Sequence, residues 1–166
     1  LASRYPERVD RYVALSVGHP KAFRSAGLEQ KLRSWYALSF QIPGLAERLT
    51  ALGDWFLLRR IKHPEVAHWI KDLSREGRLT AGINWYRANF VSMLFSDFPP
   101  VRVPVLGIWS SGDTYLTEAQ MKRSAAHVLA PWRYERIEGS SHWIPLDAPD
   151  RLNNILLGYV LNAAGA

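Results

Sequence analysis

The order of apolar and polar residues divides the chain into three strands and a long run of helical segments. Residues 11–17 (Arg-Tyr-Val-Ala-Leu-Ser-Val) are apolar nearly throughout, which predicts a strand in the centre of a sheet. Residues 103–109 (Val-Pro-Val-Leu-Gly-Ile-Trp) predict a second strand, buried on both faces, and residues 132–137 predict a third. Strands separated by helical patterns indicate an α/β fold with a parallel sheet.

Between the first two strands, apolar residues recur at helical spacing. Residues 21–99 contain four such stripes and no strand pattern, which is too much for an ordinary crossover connection. The stripes are Leu32, Trp35, Tyr36 and Phe40; Leu45, Leu49, Leu52 and Phe56; Val66, Trp69, Ile70 and Leu73; and Ile83, Tyr86, Phe90 and Leu94. We therefore predict core residues 1–20, an inserted all-helical cap at residues 21–99 over the sheet edge, and core residues 100–166. Packing is the simpler role for any single aromatic residue of the cap.

Two residues suited to acid–base chemistry follow the second and third strands. Asp113 ends the polar turn Ser-Ser-Gly-Asp, and His142 lies in the loop Gly-Ser-Ser-His-Trp. Loops that follow parallel strands emerge at the same edge of the sheet, so we expect the carboxylate to orient the imidazole as a base. A turn role for Asp113 and a packing role for His142 are the simpler alternatives.

Helices are predicted to follow both loops. Residues 117–120 (Thr-Glu-Ala-Gln) match a capping box, and Asp147, Pro149 and Asp150 match the start of a last helix. That helix carries the apolar stripe Leu152, Ile155, Leu156, Tyr159 and Val160.

Composition narrows the classes of partner and site. The net charge is +6, but the basic residues are scattered and no nucleic-acid motif is present, so we expect no nucleic acid as partner. The chain has no cysteine, which excludes disulfides and thiolate sites and suits a cytoplasmic location. No apolar stretch approaches the roughly 20 residues that span a bilayer, so no membrane is expected. We expect neither a metal nor a cofactor.

The beginning of the chain indicates that it starts inside a fold. Residues 1–9 (Leu-Ala-Ser-Arg-Tyr-Pro-Glu-Arg-Val) lack an initiator methionine and a signal-peptide pattern. They predict the last turn of a helix that enters a turn at Pro6.

The order of elements and three short motifs resemble the C-terminal half of the α/β-hydrolase fold. The motifs are Tyr-Pro-Glu-Arg-Val (5–9), Gly-Asp (112–113) and Gly-Ser-Ser-His-Trp (139–143), and the resemblance extends over all 166 residues. It implies that the predicted sheet is the C-terminal part of an α/β-hydrolase sheet, with Asp113 and His142 as catalytic residues.

Within that fold the chain is most similar to the epoxide hydrolases, whose cap carries two tyrosines that hold the epoxide oxygen. The matching strings are residues 35–47 (Trp-Tyr-Ala-Leu-Ser-Phe-Gln-Ile-Pro-Gly-Leu-Ala-Glu) and 84–87 (Asn-Trp-Tyr-Arg). The resemblance implies that Tyr36 and Tyr86 are those tyrosines, and that the partners are a small apolar epoxide or related electrophile and water. The tryptophans expected to contact the substrate are Trp35, Trp85 and Trp143, with packing as the alternative for Trp143.

The chain departs from this family in having no nucleophile. By the order of the family's nucleophile elbow, an aspartate is expected roughly ten residues upstream of Leu1. We therefore predict that these 166 residues are inactive by themselves. Alternatives on the same scaffold are a haloalkane or haloacetate dehalogenase and a serine esterase, and a non-catalytic fragment or binding module is a third possibility.

Overall fold

The computed structural model describes residues 1–161. Over these residues the chain forms two compact units: the first combines Leu1–Arg33 with residues 97–161, and the second is Ser34–Ser96. In chain order the elements are a 3-10 helix (Pro6–Arg8), β1 (Tyr12–Leu15), α1 (Pro20–Arg24), α2 (Leu28–Arg33), α3 (Trp35–Ser39), α4 (Leu45–Arg59), α5 (Val66–Leu73), α6 (Arg78–Phe95), β2 (Val105–Ser110), α7 (Glu118–Arg123), a second 3-10 helix (Ser124–His127), β3 (Trp132–Ile137), α8 (Ile144–Asp147) and α9 (Pro149–Leu161).

The first unit is built on a parallel sheet, which confirms the predicted α/β class. Within the described residues the sheet has three strands in the order β1-β2-β3. Tyr12 is opposite Val105, and Val105 is opposite Trp132. Every residue of β2 is buried, because a central strand has neighbours on both edges and helices on both faces.

Two of the strands are shifted relative to the sequence prediction, and β3 coincides with it. The first strand ends at Leu15 rather than at residue 17, because Ser16 adopts a left-handed conformation with φ 61°. The second begins at Val105 rather than at residue 103, because Pro104 has no N–H to donate to a ladder.

Apolar side chains on the two faces of β2 pack in different directions. On one face, Leu106 and Ile108 join Ile137, Ile144 and Leu152, and the apolar side of α9 packs against this cluster. On the other face, Trp109 packs with Ala14 and Met121.

Gly107 faces the second of these clusters and has no room for a side chain. A Cβ there would lie 2.5 Å from Cη2 of Trp132 and 2.9 Å from Sδ of Met121. The absence of a side chain at Gly107 therefore allows the Trp132 ring to approach the strand this closely.

The helical second unit differs from its prediction in three places. It begins at Ser34 rather than at residue 21, because α1 and α2 belong to the first unit. One predicted helix, with Leu32 and Trp35 on a common stripe, is divided at Ser34 into α2 and α3. Helix α4 is kinked at residues 52–55, where Leu52 is extended and the following three residues have positive φ.

None of the helices within residues 1–161 is long and apolar enough to cross a membrane.

Candidate active site

Asp113 and His142 are joined in the first unit by a direct hydrogen bond. Asp113 follows the end of β2, and His142 lies between β3 and α8. The Nδ1 atom of His142 is 2.8 Å from Oδ2 of Asp113. The structure therefore brings together the acid and the base that the sequence placed at neighbouring strand ends.

The surroundings of Asp113 determine which ring nitrogen of His142 carries the proton. Its side chain is fully buried, and Oδ1 accepts hydrogen bonds from the backbone N–H of Tyr115 and of Leu116, both at 2.8 Å. A carboxylate only accepts hydrogen bonds, so His142 donates its Nδ1 proton to Oδ2. In the neutral ring the Nε2 atom then carries the lone pair, and the His142 side chain as a whole is 28% exposed.

The loops that carry the two residues are bonded to each other. The N–H of Gly112 donates to the carbonyl of Ser140 at 3.0 Å, and Oγ of Ser110 donates to the carbonyl of Ser141 at 2.6 Å. A Cβ on Gly112 would lie 2.6 Å from the Ser140 oxygen, so the close approach of the loops requires glycine. The small residues of both loops thus set the spacing between acid and base.

Asp147 supports the histidine loop, a role that the sequence analysis missed. Its Oδ2 accepts the N–H of Ser141 at 2.7 Å and also the Ser141 hydroxyl. The sequence predicted this residue as part of the start of α9, but the short helix α8 ends at Asp147 and its carboxylate turns back to the loop. A helix-start signal is local, whereas this bond depends on the path of the loop before α8.

Two aromatic rings partly surround the imidazole. The ring of Tyr115 lies 5.2 Å from that of His142, and the ring of Trp143 lies 5.6 Å from it, between centroids. Trp143 is a predicted site residue, and Tyr115 is one that the sequence analysis did not single out. Both rings reduce the solvent around the proposed base.

Tyr36 and Tyr86 lie side by side in the second unit, on α3 and α6. Their ring centroids are 6.1 Å apart, and Phe40 lies against both rings. Burial raises the pKa of Tyr86, and a side-chain hydrogen bond with Tyr36 opposes that rise. The Tyr86 phenol therefore stays protonated at neutral pH and can donate a hydrogen bond.

Arg87, the residue after Tyr86, ties the two tyrosine-bearing segments together. Its guanidinium donates to both carboxylate oxygens of Glu47, at 2.8 and 3.0 Å, and Nε donates to the carbonyl of Phe40 at 2.7 Å. The hydrogen bonds from Arg87 hold the pKa of Glu47 down to about 2. Glu47 and Arg87 end the two strings that resemble the epoxide hydrolases, and the ion pair gives a physical reason for their occurring together.

The tryptophans beside the tyrosines are more exposed than the tyrosines themselves. Trp35 is 58% exposed and Trp85 is 66% exposed, and the ring of Trp85 lies 5.4 Å from that of Tyr86. Their contact with a substrate stays a prediction.

A cavity of about 410 Å³ in the first unit lies apart from this chemistry. Its lining includes Tyr12, His19 and Trp132 but neither Asp113 nor His142. Within residues 1–161, no cluster of three or more His, Cys, Asp or Glu side chains has the geometry to hold a metal ion.

Comparison with known proteins connects this geometry to a family. No family model matches the chain. Epoxide hydrolase 3 of Xenopus tropicalis is 30% identical to it over an alignment of 184 positions, gaps included, which covers 96% of this chain and 48% of that protein. Epoxide hydrolase 4 of Homo sapiens is 26% identical, over 94% of this chain and 48% of the relative. The chain thus spans about half the length of these curated relatives.

Solved structures show the same fold. The crystal structure of an epoxide hydrolase of Bacillus megaterium in complex with an inhibitor matches with a TM-score of 0.77 and 19% sequence identity. The match covers 96% of this chain and 63% of that one. An epoxide hydrolase of Vigna radiata matches with a TM-score of 0.70 and 22% identity, over 96% of this chain and 63% of the other.

Proposed function

Because the chain belongs to the α/β-hydrolase family that includes the epoxide hydrolases, we propose that its protein opens epoxides to diols through a covalent ester intermediate. The observation that carries this proposal is the pair of adjacent phenols, Tyr36 and Tyr86. Ester or halide chemistry has no need of two phenolic donors beside each other, whereas the leaving oxygen of an epoxide does. The substrate we propose is a small apolar epoxide, and the second reactant is water.

In the first proposed step a carboxylate attacks an epoxide carbon. The carbon–oxygen bond of the ring breaks, and the departing oxygen takes a proton from one phenol while the other donates a hydrogen bond to it. The proposed nucleophile is an aspartate outside these 166 residues. The products of this step are an ester of that aspartate, bearing a free hydroxyl, and a tyrosinate.

In the second step His142 acts as a base. Its Nε2 takes a proton from a water molecule, and the resulting hydroxide attacks the ester carbonyl, releasing the diol and the carboxylate. Asp113 stabilises the imidazolium that forms. Release of the imidazolium proton to solvent and uptake of a proton from solvent by the tyrosinate return both groups to their starting states, so the sum is epoxide plus water to diol.

The remaining parts of the proposal concern the surroundings of the reaction. Trp143 and Tyr115 limit the access of bulk water to His142, and Trp35 and Trp85 contact the apolar part of the substrate.

A cytoplasmic location fits the absence of cysteine, which leaves no disulfide to maintain. Fractionation of cells that express the tagged full-length protein would test the location.

The decisive experiment uses the protein that contains these residues together with the nucleophile segment. His142→Gln should form the covalent ester when mixed with styrene oxide and should fail to hydrolyse it, so intact-mass spectrometry should show an adduct of the mass of the epoxide. The matched control is Tyr36→Phe/Tyr86→Phe in the same background, which should show no adduct. A His142→Gln protein that forms no adduct would refute the proposed order of steps.

The rival activities are tested on the same preparation. Turnover of a haloalkane, or of a simple ester by a serine nucleophile, with no turnover of epoxide would replace the proposal by a dehalogenase or an esterase. Binding without turnover of any of the three substrates would indicate a binding module.

A further inference from the structure

A buried glutamine in the first unit holds the loop that presents Asp113. Gln30 lies on α2 and is 1% exposed. Its Nε2 donates to the carbonyl of Tyr115 at 2.9 Å, and its Oε1 accepts from the N–H of Thr117 at 2.8 Å and from the Thr117 hydroxyl at 3.1 Å. One side chain therefore satisfies three polar groups of residues 115–117.

These loop residues are the ones that hold the carboxylate. The N–H groups of Tyr115 and Leu116 both donate to Oδ1 of Asp113, which leaves Oδ2 for His142. Arg33, one turn after Gln30 on the same helix, donates from Nη1 to the backbone carbonyl of Asp113 at 2.7 Å. A continuous series of hydrogen bonds thus runs from α2 through the loop and the carboxylate to the imidazole.

The same bonds account for a helix start that is not as the sequence predicted. Thr117 precedes α7 and was expected to cap it, yet its side chain makes no cap bond. Its hydroxyl is directed to Gln30 instead. The Thr117 hydroxyl thus bonds to a residue 87 positions away in sequence and does not cap α7. This bond indicates that tertiary contacts hold the loop in position.

We propose that Gln30 is a positioning residue for the Asp113–His142 pair. By fixing the two peptide N–H groups that bind Oδ1, it sets the orientation of the carboxylate and so keeps the His142 proton on Nδ1. The consequence of this positioning for catalysis rests on the proposed function, whereas the effect of Gln30 on the position of the imidazole proton does not.

A second buried glutamine provides a matched control. Gln120 is 0% exposed, its Nε2 donates to the carbonyl of Ser16 at 2.7 Å, and its Oε1 accepts from the N–H of Gly18 at 2.7 Å. It has the same side chain, the same burial and the same two-sided bonding as Gln30. It braces the turn after β1, however, and makes none of the bonds that hold residues 115–117.

The test is nitrogen NMR of the protein that contains these residues together with the nucleophile segment, with its histidines labelled and the His142 signals assigned by their loss in His142→Gln. In the unsubstituted chain at alkaline pH, the shifts of the two ring nitrogens should report a proton on Nδ1 alone. Gln30→Met should move the two shifts towards each other, as in a mixture of tautomers, and abolish the low-field Nδ1–H proton signal. Gln120→Met should lower the melting temperature by a similar amount and leave the His142 signals unchanged.

A second substitution keeps the test decisive if Gln30→Met does not fold. Gln30→Glu has the same shape, and at the alkaline pH of the measurement its ionised carboxylate keeps both accepted bonds from Thr117 but has no proton to donate to the carbonyl of Tyr115. A change in the His142 tautomer in this variant supports the proposal. Unchanged His142 signals in every folded Gln30 variant, or an equal change in Gln120→Met, would overturn it, since the effect would then be absent or would reflect general loosening.

A kinetic measurement then separates this inference from the proposed function. In the full-length protein, Gln30→Glu should slow hydrolysis of the ester roughly 10- to 100-fold, the scale for a displaced catalytic group, and leave its formation unchanged. If that protein opens no epoxide at all, the proposed function fails while the NMR result for Gln30 stands.

Discussion

Replacing Asp113 by asparagine should disable His142 through its tautomer. The two backbone N–H groups at Oδ1 need an acceptor, so the asparagine oxygen must occupy that position. Its amide NH₂ group then occupies the position of Oδ2, 2.8 Å from Nδ1 of His142 in the unsubstituted chain. Two donors cannot face each other, and the imidazole must move its proton to Nε2, which is the atom that has to act as base.

The size of the rate loss in Asp113→Asn follows from which properties of the aspartate side chain the asparagine keeps and which it lacks. The substitution keeps the volume and all the hydrogen-bond positions of a fully buried side chain, so the fold should be retained. What is lost is the correct tautomer and the negative charge beside the imidazolium, which in a comparable triad costs roughly 10⁴-fold in rate. At 1.36 kcal/mol per factor of ten, that is about 5 kcal/mol of transition-state stabilisation.

The assay is single-turnover kinetics of the full-length protein with styrene oxide, quenched at intervals and analysed by intact mass. Adduct formation should keep its rate in Asp113→Asn, and adduct decay should slow by roughly 10³–10⁴-fold. Asp150→Asn, at an exposed position of the first turn of α9, is the control and should decay normally. Decay of the Asp113→Asn adduct within tenfold of the control would refute the assignment of Asp113 as the residue that orients His142.

Four further outcomes are expected. Tyr36→Phe and Tyr86→Phe should each slow adduct formation roughly 10²–10³-fold, which is the loss expected for one oxyanion donor. If stopped-flow measurements show the same rate of adduct formation in a variant as in the unsubstituted protein, the proposed role of that tyrosine is contradicted. Glu47→Gln should remove an acid-sensitive contribution to stability: because the pKa of Glu47 is about 2 in the fold and about 4.5 without it, that contribution is complete above pH 4.5 and lost as the pH falls towards 2. The melting temperatures of the unsubstituted protein and of Glu47→Gln should therefore converge as the pH is lowered from 4.5 to about 2. Gly107→Ala should destabilise the first unit by about 1–3 kcal/mol in urea titrations, because its Cβ would overlap Trp132; an unchanged midpoint would mean that the ring moves freely. The 166-residue chain alone should not turn over styrene oxide, and robust turnover would disprove the proposal that the nucleophile lies outside it.

The sequence by itself determined the three strands of the first unit and the placement of its acid and base. A continuous apolar run reports burial on both faces, so β2 could be located from the sequence. The strand β3 was predicted to the residue, although Arg133, Glu135 and Arg136 interrupt its apolar residues and only its last residue is fully buried. Once the strands are parallel, their carboxyl ends share one edge, which is why Asp113 and His142 could be paired in advance. Tyr36 and Tyr86 were also paired in advance, but this pairing came from the resemblance of the surrounding sequences to a family and not from a physical rule.

Only the tertiary structure decided which polar side chains hold these groups in place. Gln30 bonds to residues 85 and 87 positions away, and Arg87 bonds to Glu47 40 positions away. Such bonds have no local periodicity, and the same residues fit simpler local roles: Thr117 matches a helix cap and Asp147 a helix start. A buried polar group must be paired wherever the packed chain puts it, so its partner is chosen by the fold as a whole and not by its neighbours in sequence.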